Sequence, residues 1–112
     1  MRLSILVSSV VSGIALAGAA QAADPKIVKF FNETCGTCHG ESGEGMKGLA
    51  PPLKANKFVT EGSAADIGAT IVKGREGAAK RYKDLPSPMP ANSMSDTRLQ
   101  SLIAYLKGDL QK

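Results

Sequence analysis

The run Cys35-Gly36-Thr37-Cys38-His39 constrains this chain more than any other feature. Two cysteines three apart, followed at once by a histidine, form the attachment pattern of a c-type haem. The spacing has a chemical reason. Residues i and i+3 share one face of a helix, so two thiols so placed reach the two vinyl groups on one porphyrin edge and form thioethers. A histidine at the next position turns its imidazole under the ring and ligates the iron. A haem is large beside a chain of 112 residues, so the remaining sequence reads as its wrapping. The fold expected is all-α, three to four helices around one covalently bound haem.

Composition agrees. The chain has no Trp, three Phe and two Tyr, which is thin material for a packed core. Domains this small are marginal on their own apolar surface and usually lean on a disulfide, a metal or a cofactor. The formal net charge of +4 suits docking to an acidic protein surface. It comes with no basic run and no aromatic platform, so nucleic acid is not expected as a partner.

The first residues read as an address rather than as structure. Met1-Arg2 is followed by an apolar, small-residue stretch from Leu3 to Ala19, then by Ala20-Gln21-Ala22, a signal-peptidase pattern. Residues 1–22 are therefore expected to be a secretory signal peptide and residues 23–112 the haem domain. The apolar stretch is short for a bilayer span, and no cysteine follows the cleavage pattern to carry a lipid. The expected location is the periplasm, which fits the chemistry, since bacteria attach haem to this motif outside the cytoplasm.

Asp24-Pro25 is a helix start, with Asp as N-cap and Pro at the first helical position. Ile27, Phe31 and Cys35 then recur every four residues, flanked by Val28 and Phe30, so one helix is expected to deliver the cysteines to the ring. Gly40 to Leu53 reads as a loop closed by Pro51-Pro52; without a preceding strand or a Gly-Lys-Ser/Thr ending it is no phosphate cradle. Ser63 to Asp66 opens a second helix with Ile67, Ile71 and Val72 as its apolar face, stopped by Gly74. Gly68 inside it costs about 1 kcal/mol relative to Ala, so this helix needs tertiary support. Gly74 to Ser95 reads as loop and carries Arg75, Lys80, Arg81 and Lys83, either a solvated face or a docking patch. A final helix starts at Ser95, with Asp96 and Lys107 complementing its dipole and Leu99, Leu102, Ile103, Leu106 and Leu110 as its stripe. No segment alternates with period two, so no sheet is expected.

His39 is the single histidine, which excludes a bis-histidine iron. The opposite position is left to Met, Lys, another weak donor, or solvent. Met46 lies too close to His39 in sequence to come round the ring. Met94 precedes the N-cap Ser95 with Leu99 at N4, a hydrophobic-staple spacing that explains it by packing. Met89, between Pro88 and Pro90, has no helical stripe to join, and its prolines restrict the backbone. The residues thus put Met89 first and Met94 second.

At this point the sequence resembles the class I c-type cytochromes, the small soluble bacterial ones. Phe31 stands four before Cys35 at the family's first-helix aromatic. Pro51 matches the proline whose carbonyl accepts the proximal histidine's N–H, Met89-Pro90-Ala91 the distal-ligand segment, and Tyr105 the aromatic that packs against the first helix. Ile27 departs from the pattern, because the family has Gly or Ala there where the terminal helices cross. The resemblance implies an electron carrier rather than an enzyme. It implies one haem c, bound through Cys35 and Cys38, with His39 and Met89 as axial ligands and Pro51 behind His39. It also implies a monomer in an electron-transport or respiratory chain, docking a periplasmic dehydrogenase or a terminal oxidase or reductase at the haem edge.

Four other readings compete. The chain could be a fixed subunit of a periplasmic oxidoreductase, or a gas-binding sensor if Met89 leaves the iron open. A thioredoxin-like disulfide between Cys35 and Cys38 lacks the βαβ context. A zinc site lacks a fourth ligand beyond two Cys and one His.

Overall fold

The computed structural model describes residues 23–112; the signal-peptide assignment falls on residues 1–22, outside them. The expected N-caps form. The Asp24 carboxylate accepts the Lys26 N–H at 2.9 Å and opens α1 (Pro25–Phe30). Ser63 Oγ accepts the Asp66 N–H at 3.1 Å and opens α4 (Ala64–Lys73). Ser95 Oγ accepts the Arg98 N–H at 3.3 Å and opens α5 (Asp96–Lys107). Each satisfies a backbone donor that the first helical turn leaves unpaired. Among the described residues there is no strand, only isolated bridges at Met46–Ala50 and Arg75–Met89.

Two features depart from a simple helical reading. First, α1 does not run as a regular helix to the haem motif. It passes through a π-helical turn (Phe31–Cys35) before α2 (Gly36–His39). There the Gly36 N–H donates to the Phe31 carbonyl, five residues back. The wider turn re-phases the Cys-x-x-Cys-His segment relative to the Ile27–Phe31 face, and such turns often sit at functional sites. Second, a short helix, α3 (Lys57–Glu61), precedes α4, capped by Asn56 Oδ1 on the Phe58 N–H at 3.0 Å. Lys107 closes its other end, with Nζ 3.2 Å from the Val59 carbonyl and 2.5 Å from that of Gly62. Lys107 was expected to complement the dipole of its own helix; it serves the C-terminal carbonyls of α3 as well.

The core lies where α1, α4 and α5 meet. Phe31 and Leu102 have no solvent exposure. The Phe31 ring meets Tyr105 edge-on, centroids 5.4 Å apart and planes at 68°, a favoured aromatic geometry. Ile27 is buried in the same cluster, so the terminal helices pack against each other with a branched side chain where the family has a small one. Along α4 the buried face is Ile67, Gly68 and Ile71. Val72, expected on that face, is exposed instead. Gly68 faces α5: a Cβ there would sit 3.4 Å from both Leu99 Cδ2 and Ile103 Cδ1. That close approach is the tertiary support the helix required. Leu110 completes the α5 stripe from a 3₁₀ turn (Asp109–Gln111) beyond the helix.

Candidate haem site

The interior opens into an apolar cleft that is continuous with solvent at its mouth. Cys35, Cys38 and His39 line it from the first helical run, Pro51 from the following loop and Met89 from the segment before α5. Met46 and Met94 do not line it: Met46 is exposed, and Met94 is half-buried against the core. Leu102 and Leu106 of α5 and Ile67 and Ile71 of α4 supply apolar wall.

The histidine side is built by a tight return of the chain. The Gly45 N–H donates to the His39 carbonyl at 2.6 Å, which folds the loop back at once. Gly45 has φ of +78°, and a Cβ there would lie 2.6 Å from Pro52 N and 2.9 Å from the Pro51 carbonyl carbon. Only glycine allows this approach. The result is a bond of 2.8 Å between His39 Nδ1 and the Pro51 carbonyl. A carbonyl can only accept, so Nδ1 carries the hydrogen and Nε2 keeps its lone pair. Burial lowers the His39 pKa, and the Pro51 bond opposes it; the ring is neutral at pH 7 and its Nε2 is a metal-ready donor.

On the other side, Met89 is fixed through its backbone. Its N–H donates to the Arg75 carbonyl at 3.0 Å, and its carbonyl accepts the Arg75 N–H at 2.9 Å. The Asn92 N–H adds a bond to the Ile71 carbonyl at 3.0 Å. Gly74, with φ of +68°, permits this seam. A Cβ there would meet the Met89 carbonyl oxygen and lie 2.7 Å from both Ala91 N and the Pro90 carbonyl carbon. Gly74→Ala is therefore expected to detach the Met89 segment, at a cost of about 1–3 kcal/mol for the glycine-only backbone conformation alone (φ +68°, ψ −173°). Hydrogen exchange of the Arg75 and Met89 amides checks it. Protection lost at those two amides supports the account, and wild-type protection contradicts it.

The cysteines are free thiols, half-buried in the cavity wall. Burial first, and the neighbouring Cys38 second, push the Cys35 thiol up to about 11. Among the described residues there is no strand, so a thioredoxin-like redox pair lacks its βαβ fold here. The residues fit a covalently held tetrapyrrole: two thiols on one wall, a neutral imidazole nitrogen free to ligate, a thioether lining the same space, and apolar side chains between.

The cavity rim is basic, which periodicity could not reveal. Arg75, Lys80 and Arg81 line it. The guanidiniums of Arg75 and Arg81 lie 4.9 and 5.2 Å from the centroid of the Phe58 ring, a favourable placement for cations. Arg75 also donates to Thr70 Oγ1 at 3.0 Å. No carboxylate pairs with any of the three among the described residues. Asn56 and Tyr82, joined by a bond of 3.2 Å, line the cavity too and went unread in the sequence.

The comparisons agree with this geometry. The cytochrome c family profile matches residues 26–108. Cytochrome c-551 of Pseudomonas aeruginosa is 33% identical over 107 residues, covering 95% of this chain and 96% of that protein. The cbb3-type cytochrome c oxidase subunits CcoP of an Azospirillum species and of Azospirillum brasilense are each 44% identical over 45 residues. That stretch is 40% of this chain but only 15% of those subunits, so the likeness to them is partial. With a family match across most of its length and a covalent-haem motif lining its interior cleft, the chain belongs to the cytochrome c family of electron carriers, as a small class I monohaem c-type cytochrome whose cofactor is covalent haem c with its iron.

Proposed function

We propose that this protein carries single electrons in the periplasm, with haem c on Cys35 and Cys38 and its iron held between His39 and Met89. The observation that carries the reading is the cavity shared by those four side chains, with His39 Nδ1 already committed to Pro51. Bound there, the haem iron supplies a reversible one-electron change, and a thioether ligand favours its reduced state. The chain's own residues do the rest. Pro51 holds the imidazole in one tautomer and one orientation. The Arg75–Met89 seam fixes the Met89 backbone, which limits how far its thioether can move. The apolar walls from α4 and α5 exclude water. The cations Arg75, Lys80 and Arg81, which pair with no carboxylate among the described residues, favour approach of an acidic redox partner, chiefly through encounter rate.

The test is the visible and near-infrared spectrum of the purified holoprotein, oxidised, then reduced with and without CO. A weak Met-to-ferric charge-transfer band, sharp reduced haem c bands and no response to CO are expected. A spectrum without that band that shifts with CO would replace the carrier by a gas-binding protein. The partial likeness to CcoP supports a second reading, a fixed subunit of an oxidase. Co-purification with a larger complex at native expression would favour it over the free carrier.

A further inference from the structure

The start of α1 and the turn after α5 meet at a contact that the haem site does not use. The Ala23 backbone N–H donates to Asp109 Oδ2 at 2.8 Å, across 86 positions of sequence. The other carboxylate oxygen, Oδ1, lies 3.0 Å from Lys112 Nζ. Ala23 and Asp109 line a groove together with Ile27, Ala104 and Tyr105. The Ala23 N–H first, and Lys112 second, hold the Asp109 carboxyl below the usual carboxylate range, so it is ionised at neutral pH.

Ala23 is also the residue directly after Ala20-Gln21-Ala22. We infer that hydrolysis of the Ala22–Ala23 bond turns this hydrogen bond into an ion pair between the new α-ammonium of Ala23 and Asp109, so that maturation itself clamps the two terminal helices. The inference rests on the processing reading of residues 1–22. Water is the co-reactant: Ala22 leaves as a carboxylate, and the Ala23 nitrogen keeps its place and takes up a proton. The nitrogen already stands at hydrogen-bond distance, so no rearrangement is needed. It gains two hydrogens and a full positive charge, and charge-assisted bonds are roughly twice as strong as neutral ones.

The other ionisable groups at the contact favour the cation on balance. Asp24 is adjacent, with its carboxylate capping the Lys26 N–H. Lys112 sits on the opposite oxygen of Asp109. The Tyr105 phenol is pushed up by burial and by Asp109 and stays neutral in this range. Pairing raises the amine above the about 7.7–8.0 of a free terminus. A raised folded-state value gives stability that is complete below about pH 8 and is lost as pH rises through that value.

The experiment uses the exported, haem-loaded protein. Intact mass reports where the chain begins, and a carbon-13 NMR titration follows the terminal amine in wild type and in Asp109→Asn. A second variant, with Gly-Gly inserted between Ala22 and Ala23, moves the ammonium two residues away and leaves the Ala23 N–H as an amide. The expected mass is that of a chain starting at Ala23. Its amine is expected to titrate about half a pH unit or more above that of Asp109→Asn. The insertion variant is expected to show an ordinary amine and the wild-type visible spectrum. A different starting residue overturns the processing reading. A start at Ala23 with equal amine titration in wild type and Asp109→Asn overturns the ion pair alone. An insertion variant whose amine titrates as high as wild type does the same.

Discussion

Met89→Ala is expected to lower the reduction potential and let the reduced protein bind CO, while leaving the covalent attachment of haem intact. Three methionines lie among the described residues, and Met89 is the one that lines the cavity. Its backbone is bonded in both directions to Arg75, and the Arg75 side chain is anchored on Thr70 Oγ1 and over Phe58. Removing the side chain beyond Cβ therefore takes away the thioether without releasing the segment. Loss of a Met ligand removes a group that favours reduced iron, which sets the direction of the potential shift. The Met-to-ferric near-infrared band is expected to vanish in the same variant. Met94→Ala is the control, because Met94 packs half-buried against the core outside the cavity; its potential and CO response are expected to match wild type. If Met94→Ala opened the iron and Met89→Ala did not, the two assignments would exchange.

Much of this site could be read from residue types, because each carries a local constraint. Ser63 and Ser95 cap where their spacing requires, since a hydroxyl one turn before an apolar stripe has few other uses. Gly74 ends α4 with a positive φ, as a helix-stopping glycine does. Phe31, Leu102 and Leu106 are buried because the 3.6-residue period is a direct projection of the core. What stayed hidden depends on non-local geometry. Five residues in α3 are too few to show a period, and this helix stands on Asn56 and a lysine 45 or more positions away. The π turn at Phe31–Cys35 leaves no residue signature, because it changes the phase of a stripe rather than its composition. Arg75 and Arg81 read equally as a solvated face or as a docking patch, with nothing to place them at the cavity. They line the cavity only because the Arg75–Met89 seam folds that loop back and the Phe58 ring gives both guanidiniums a face.

Phe31→Ala is expected to cost about 3–5 kcal/mol of unfolding free energy, the usual range for a buried phenylalanine. Domains of this kind carry about 5–15 kcal/mol in all, so the variant stands near the threshold of folding. The upper part of the range is favoured by two observations. Phe31 has no solvent exposure, and its ring is edge-on to Tyr105. It also lines the haem cavity, so the void left by truncation opens onto the cofactor's space, where relaxation of either side would disturb Cys35. Denaturant unfolding of the holoprotein measures the loss. Phe31→Leu, which keeps more of the volume and leaves a smaller void, is expected to cost less. A double-mutant cycle with Tyr105→Leu is expected to return a coupling of about 0.5–1.5 kcal/mol for the ring pair. A Phe31→Ala protein within 1 kcal/mol of wild type would show that the bound haem, rather than the α1–α5 contact, carries the stability of this core. In that case the coupling with Tyr105 would also vanish, because the two rings would no longer be held by the same packing.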